Sequence, residues 1–354
     1  MLYIPHIFLH TLDNTNTLDR KITLSVIIAL SFLLLNTIHG SASMLEIHGQ
    51  MTDAEQQRQN QTNTDDKKDI VRLLATLTQS KLEEAANILE VTSKQDEVRN
   101  TPYFGNISQL HMGIPENLDV EKRNAAKEIL DHNKDFGSIY FTMPNGDVYI
   151  GEPFYHQKQL PRLNFADRDW YKGVTSTNNT YTSSAFVSAS IHAPATAIAI
   201  PVYSVIENNN NINNISNNDA TSKNNNLITG YWVGIIDLQS VNQTIEDLSL
   251  DNNSQIIIVD HQGNEIVNSN ISKNVRYVNA DTKADNNSTH ELNGNEHISQ
   301  TELNSLANLE SVKKALSGNS GSGVEIVDGR EFSITYQPFK AGIHTWAVLL
   351  MSKT

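Results

Sequence analysis

The sequence predicts an α+β fold in which a long N-terminal helix is followed by two successive lobes, each built on an antiparallel sheet. Three observations predict this fold. Apolar residues recur at helical spacing over residues 66–93, strand-like runs separated by turns begin near residue 136, and the same order of elements starts again after residue 240. One apolar segment near the N-terminus precedes these elements and predicts a membrane or signal segment.

The composition excludes several classes of function. The 354 residues include 26 Lys plus Arg against 40 Asp plus Glu, a formal net charge of −14, which argues against a nucleic-acid partner. Cysteine is absent, so disulfides, thiolate metal sites and cysteine nucleophiles are excluded. The 12 histidines show no metal-binding spacing, and no phosphate-binding glycine motif occurs. We therefore expect no enzyme, no catalytic residue, no metal and no cofactor.

Residues 22–43 form the predicted membrane or signal segment. Arg20 and Lys21 precede an apolar run, and small residues follow at positions 40–43. The run through Ile38 would give roughly 26 Å of helix, slightly short of the ~30 Å hydrocarbon core. Cleavage of a signal peptide and retention as a single anchor both stay open, and we favour the anchor. The basic flank predicts a cytoplasmic tail at residues 1–21 and an exterior location for the rest, with secretion after cleavage as the alternative.

The first lobe is predicted to occupy residues 66–240, after a polar linker at residues 44–65. It starts with the helix at 66–93, which would act as a stalk, and a second helix at 120–133. Asn145-Gly146 marks a hairpin turn. Strands are predicted at 138–143, 147–152, 182–190, 195–205 and 229–238. Residues 208–226 contain 11 asparagines in 19 positions and predict a mobile extension of a hairpin.

The second lobe is predicted to occupy residues 241–354. A short helix at 238–248 leads into it, and a polar loop at 270–302 separates its first hairpin from a helix at 303–316. Strands are predicted at 255–260, 265–268, 323–327, 331–338 and 344–351.

One polar and aromatic cluster suggests a binding site. Residues 164–173 read Asn-Phe-Ala-Asp-Arg-Asp-Trp-Tyr-Lys-Gly, in a segment that we expect to enter the sheet. The Arg168 guanidinium matches a carboxylate bidentately, and the rings of Trp170 and Tyr171 would wall a cavity. Asp237, at the end of a predicted strand, would hold an ammonium. The alternative is that Arg168 pairs with a neighbouring aspartate while Trp170 packs in the core.

Several ordered motifs outside this cluster belong to a known pattern. They are Met143-Pro144-Asn145-Gly146-Asp147-Val148-Tyr149, Ala197-Ile198-Ala199-Ile200-Pro201-Val202, Gly234-Ile235-Ile236-Asp237-Leu238, Val259-Asp260-His261-Gln262-Gly263-Asn264 and Trp346-Ala347-Val348-Leu349. Together with the long first helix and residues 164–173, they resemble the double Cache domain of extracellular sensors over about 70–351. The resemblance implies two PAS-like lobes, of which the membrane-distal one binds a small metabolite and the membrane-proximal one usually binds nothing.

The resemblance also implies roles for individual residues. In amino-acid-binding members, an Arg-x-Trp-Tyr element holds the ligand carboxylate and a later aspartate holds the amine, and Arg168, Trp170, Tyr171 and Asp237 match those roles. Leu163 stands where a tyrosine is usual.

Phe186 and Ser188 stand where an aromatic and an acidic residue are expected, so one anchor for an ammonium is missing. A plain carboxylate or another metabolite is then as good a candidate for the ligand as an amino acid. Tyr149, Tyr181 and Asp147 are weaker candidates for the cavity wall, because sheet packing or turn formation explains them nearly as well.

These observations predict a surface-tethered, non-enzymatic module of the Cache sensor kind. It would bind a carboxylate or amino-acid-like metabolite. We see no kinase, cyclase or methyl-accepting pattern in the sequence, so we expect a separate signalling partner. A homodimer through the stalk helix is a further expectation from the resemblance. The alternative function is a structural or adhesive surface protein that keeps the scaffold without a functional pocket.

Overall fold

The structure, a computed structural model, describes residues 53–204, 227–248, 250, 253–269 and 303–354. The predicted segment at 22–43, the asparagine-rich run at 208–226 and the polar loop at 270–302 lie outside the described residues. In the part of the chain that is described, no helix is both long and apolar enough to cross a bilayer.

The first helix is longer than the sequence predicts. Helix α1 spans Asp53–Thr92, so residues 53–65, predicted to be linker, are helical. The linker prediction was wrong there because it relied on an apolar stripe, which this polar stretch lacks. Once a helix is nucleated, each added residue gains a backbone hydrogen bond, and Ala, Gln, Glu and Arg are good helix formers.

The first lobe contains helices and an antiparallel sheet. The helices are α2 Asp96–Arg99, α3 Val120–His132, α4 Phe154–Lys158 and α5 Asp169–Thr177, with a 3₁₀ turn at Phe104–Asn106. The strands are β1 Phe136–Thr142, β2 Val148–Glu152, β3 Tyr181–Thr182, β4 Phe186–Val187, β5 Pro194–Tyr203 and β6 Ile228–Ile236. Their order is β2-β1-β6-β5-β3, with β4 also paired to β5.

Two sequence predictions in this lobe need correction. The run at 182–190 is two separate two-residue strands rather than one strand. The segment after Arg168 forms helix α5 instead of entering the sheet. Gly173 lets this helix approach β3 closely, since a Cβ there would lie 2.3 Å from ring atoms of Tyr181.

The second lobe repeats the arrangement with a sheet of five antiparallel strands. Helix α6 Gln239–Asp247 leads into it, so the predicted boundary at 240/241 falls inside that helix. The remaining elements are β7 Ser254–Val259, β8 Glu265–Asn268, α7 Glu310–Leu316, β9 Gly321–Val327, β10 Arg330–Ala341 and β11 His344–Lys353. The strand order is β8-β7-β11-β10-β9. The helix predicted at 303–316 begins only at Glu310.

One apolar cluster joins α1 to both sheets. It contains Leu74 and Leu89 of α1, Trp232 of the first sheet and Trp346 of the second. The Trp232 indole N–H donates to the Thr92 hydroxyl at 3.0 Å. Separate clusters cover the opposite face of each sheet. The predicted α+β fold, a long helix with two antiparallel sheets, is confirmed.

Candidate ligand-binding site

A cavity of about 50 Å³ lies on the face of the first sheet that is turned away from α1. Strand alternation decides which side chains reach it. On β1, Ile139 and Phe141 belong to the cluster with α1, whereas Tyr140 and Thr142 face the cavity. The full lining is Tyr140, Thr142, Val148, Leu160, Phe165, Arg168, Trp170, Phe186, Ser188, Ala189, Ser190, Val233 and Ile235.

The residues at the start of α5 place one cation, Arg168, in the wall of the cavity. Arg168 is the residue immediately before the helix, in extended conformation, and it lines the cavity with Trp170 of the first turn. The next residue, Asp169, fixes this turn, since its carboxylate accepts hydrogen bonds from the Ser184 backbone N–H at 2.8 Å and from the Ser184 hydroxyl at 3.1 Å. Asp167, on the other side, accepts from the Arg162 guanidinium at 2.8 Å.

Four of the predicted site residues line the cavity: Arg168, Trp170, Phe186 and Ser188. Tyr171 is on the lining helix, but its hydroxyl donates to the Pro144 carbonyl at 2.6 Å, and its ring lies 5.6 Å from that of Tyr231. Burial raises the pKa of Tyr171. This side chain therefore braces Trp170, whose ring is 5.8 Å away, rather than facing the cavity.

The other three predicted residues lie elsewhere. Tyr149 is in the cluster on the α1 side of the sheet, and its hydroxyl donates to Asp119 at 2.7 Å. Burial and this carboxylate raise its pKa. Tyr181 packs against His344 of the second lobe, with ring centres 5.3 Å apart. Asp237 follows β6, half-buried, and its backbone N–H donates to the Asp135 carbonyl at 3.2 Å. None of the three lines the cavity.

The weaker candidate Asp147 lies on a different surface. It lines an outer cleft of about 750 Å³ together with Arg162 and Leu163. The loop that contains Arg162 also separates this cleft from the cavity, because Phe165 of the same loop faces inward. The Arg162 guanidinium covers the Phe165 ring at 5.0 Å.

The sequence analysis missed two hydroxyl groups. Tyr140 and Thr142 line the cavity with 6% and 1% of their surface exposed, and neither hydroxyl has a well-formed hydrogen bond within the described residues. Burial raises the pKa of Tyr140 to about 12, although the Ser190 and Ser138 hydroxyls partly oppose this shift. Their spacing, two residues apart on a predicted strand, is the signal that would have indicated a shared face.

A chain of hydroxyls leads from the cavity to a histidine. The Ser188 hydroxyl lies 3.0 Å from that of Ser190, which accepts from the Ser138 hydroxyl at 3.2 Å. Ser138 in turn lies 2.7 Å from Nδ1 of His156. Burial, reinforced by the nearby His192, lowers the pKa of His156, so this histidine favours its neutral form. The part of the cavity wall formed by Ser188 and Ser190 is thus polar but uncharged.

The described residues bring no three histidine, aspartate or glutamate side chains into an arrangement that could hold a metal ion. The geometry instead favours binding of a small molecule. One guanidinium, four aromatic rings and several hydroxyls face a partly open cavity lined mostly by apolar side chains, as in typical small-molecule sites.

Known structures share this fold. The periplasmic sensory domain of the Campylobacter jejuni chemoreceptor Tlp1 is 14% identical with a TM-score of 0.50, covering 83% of this chain and 96% of that one. A structure of methyl-accepting chemotaxis protein X is 15% identical with a TM-score of 0.52, covering 84% and 100%. The ligand-binding domain of the Pseudomonas aeruginosa amino acid chemoreceptor PctB, in complex with L-Arg, is 14% identical with a TM-score of 0.48. The alignment covers 81% of this chain and 93% of that one.

Among curated proteins, none matches the sequence. A family model described as Cache domain, of the double Cache type, matches residues 48–353. This match covers both lobes and all of α1, and it confirms the resemblance seen in the sequence. The chain therefore belongs to the double Cache family of sensor domains.

Proposed function

We propose that this protein is an extracytoplasmic, non-enzymatic sensor module that binds a small carboxylate or amino-acid-like metabolite in the cavity of its first lobe. The observation that supports this proposal is the presence of Arg168 and Trp170 in the wall of one cavity. In the same proposal, the segment predicted at residues 22–43 tethers the module to a membrane, and a separate partner carries the signal onward.

Arg168 would supply the charge-assisted hydrogen bonds to a carboxylate. A guanidinium stays charged in an apolar environment and donates two parallel hydrogen bonds to a carboxylate. Trp170 and Phe186 would exclude water from this pair, which strengthens the electrostatic attraction. Such charge-assisted bonds contribute about 1.5–3 kcal/mol, which corresponds to roughly 10–100-fold in affinity.

The size of the cavity limits the ligand. One water needs about 10–15 Å³ of comparable space, so a cavity of about 50 Å³ suits a molecule with only a handful of non-hydrogen atoms. Short carboxylates and the smallest amino acids fulfil this condition.

Isothermal titration calorimetry on the full chain, with a panel of short carboxylates and small amino acids, tests the proposal. We expect at least one panel member to bind, and Arg168→Ala to weaken its binding at least tenfold. Lys172→Ala is the matched control, because Lys172 is an exposed cation on the same helix and does not line the cavity. The control should bind like the parent chain.

Two results would contradict the proposal. Either no panel member binds the folded chain, or Arg168→Ala binds as tightly as Lys172→Ala. The first result would favour the alternative, a structural or adhesive surface protein that retains the double Cache scaffold.

A further inference from the structure

The charges around the cavity disfavour an ammonium group. Among the described residues that line the cavity, Arg168 is the one formally charged side chain, and none is an aspartate or a glutamate. Transferring an ammonium from water into a protein interior costs several kcal/mol unless an anion compensates it. A ligand with one carboxylate and no cation avoids this cost.

Two hydroxyls in the cavity wall make no well-formed hydrogen bond among the described residues. Tyr140 and Thr142 lie two residues apart on β1, so their side chains point to the same face, and both hydroxyls are buried. Leaving a buried hydroxyl unpaired costs about 1–3 kcal/mol. A ligand hydroxyl, which both donates and accepts, would satisfy either side chain.

Ser188 and Ser190 form a second polar, uncharged part of the cavity wall. Ser188 and Ser190 are buried, 3.0 Å apart, and linked through Ser138 to His156. The serine hydroxyls are uncharged, so this part of the wall offers no net charge to a ligand. It complements a neutral polar group and offers no negative charge to compensate an ammonium.

We infer that the cavity selects a short hydroxycarboxylate, with its carboxylate on Arg168 and its hydroxyl directed to Tyr140 and Thr142. This inference rests on the proposed function, because it assumes that a carboxylate binds at Arg168. It goes further in naming the second functional group of the ligand. The single guanidinium favours one carboxylate over two, and the small volume favours a chain of two to four carbons.

Matched trios of ligands test the inference by calorimetry on the full chain. Members of a trio share a carbon skeleton and differ in one substituent: glycolate, glycine and acetate; lactate, alanine and propionate; 3-hydroxybutyrate, 3-aminobutyrate and butyrate. Both enantiomers of each chiral compound are used. In at least one trio, we expect the hydroxy acid to bind about tenfold more tightly than the unsubstituted acid. The amino acid should bind at least 100-fold more weakly than the hydroxy acid.

Variants assign the preference to the two hydroxyls. Thr142→Val and Tyr140→Phe should each weaken binding of the hydroxy acid about 5–10-fold and change binding of the unsubstituted acid less than twofold. The unsubstituted acid thus controls for folding of each variant. Ser188→Asp adds an anion to the wall and should move the preference toward the amino acid by tenfold or more.

The outcomes separate this inference from the proposed function. If an amino acid or an unsubstituted acid binds as tightly as its hydroxy counterpart in every trio, the inference fails while carboxylate binding at Arg168 stands. Equal losses for both acids in Thr142→Val and Tyr140→Phe would also overturn it. If no member of the three trios, in either enantiomer, binds the folded chain, both the inference and the proposed function fail.

Discussion

Removing the Thr142 hydroxyl should stabilise the ligand-free protein. Thr142 is 1% exposed, and its hydroxyl has no hydrogen-bond partner among the described residues. In the unfolded chain water satisfies this hydroxyl, so folding loses that interaction without replacing it. Thr142→Val replaces the hydroxyl by a methyl group of similar shape and keeps the β-branch that suits a strand.

The expected gain is smaller than the full cost of an unpaired hydroxyl. That cost is about 1–3 kcal/mol, but a water molecule in a cavity of about 50 Å³ recovers part of it. We therefore expect Thr142→Val to raise the free energy of unfolding by about 1 kcal/mol. The same variant should bind the hydroxy acid more weakly, so stability and binding change in opposite directions.

Thr196→Val is the matched control. Thr196 lies on β5 of the same sheet and is fully buried, but its hydroxyl donates to the Ser183 carbonyl at 2.9 Å and lies 3.3 Å from the Ser183 hydroxyl. The same substitution there removes a formed hydrogen bond and leaves the Ser183 carbonyl with one acceptor bond fewer. We expect it to lower the free energy of unfolding by about 1–2 kcal/mol.

Urea unfolding followed by circular dichroism measures both variants on ligand-free protein. The decisive quantity is the sign of each change, because the two substitutions are chemically identical. If Thr142→Val destabilises the protein as much as Thr196→Val, the Thr142 hydroxyl has a partner in the folded state. The account of the cavity given above would then be wrong.

Three further predictions concern the framework of the site. Arg123→Met should lower the free energy of unfolding, measured in urea, by about 3–5 kcal/mol. The Glu152 carboxylate lies 2.7 Å from the Arg123 guanidinium and is equally buried, so the substitution leaves it without its main partner. A loss below about 1 kcal/mol would contradict this. Burial lowers the pKa of His156 below its ordinary 6.5, so the unfolded chain binds more protons in that range. Stability should therefore fall as the pH drops below 6.5, and His156→Gln should show a shallower fall in urea titrations at each pH. Asp260→Ala removes the carboxylate that accepts a hydrogen bond from the Ala185 backbone N–H at 2.7 Å. Amide hydrogen exchange at Ala185, measured by mass spectrometry, should accelerate at least tenfold. Unchanged exchange would show that another group protects this amide.

Much of the fold was predictable from the sequence because its signals are local. The hairpin around Asn145-Gly146 combines alternating apolar residues with a turn that the dipeptide favours, and β1 and β2 pair as predicted. The helix at Val120–His132 likewise matches its periodic pattern. Residues 53–65 and helix α5 were missed for the opposite reason. A polar helix has no apolar stripe, and α5 is short, with an aromatic pair that suits a strand equally well.

The candidate site was predictable only where a motif marked it. Arg168 and Trp170 stand in a motif, and both line the cavity. Tyr140 and Thr142 stand in no motif, and their importance depends on which face of β1 is turned away from α1. That choice follows from packing between elements distant in the chain. Tyr149 shows the same limitation, since alternation along β2 directs it to the core cluster shared with α1.

The apolar cluster that joins α1 to both sheets makes the two lobes interdependent. A truncated protein that ends near residue 240 would keep Leu74 and Trp232 but lose Trp346 and the other second-sheet members of that cluster. It would also lose the bond from the Lys340 backbone N–H to Gln79 of α1. Such a fragment would expose a large apolar surface to water, and we expect it to aggregate. We therefore expect α1 with both lobes, rather than either lobe alone, to be the smallest unit that folds independently.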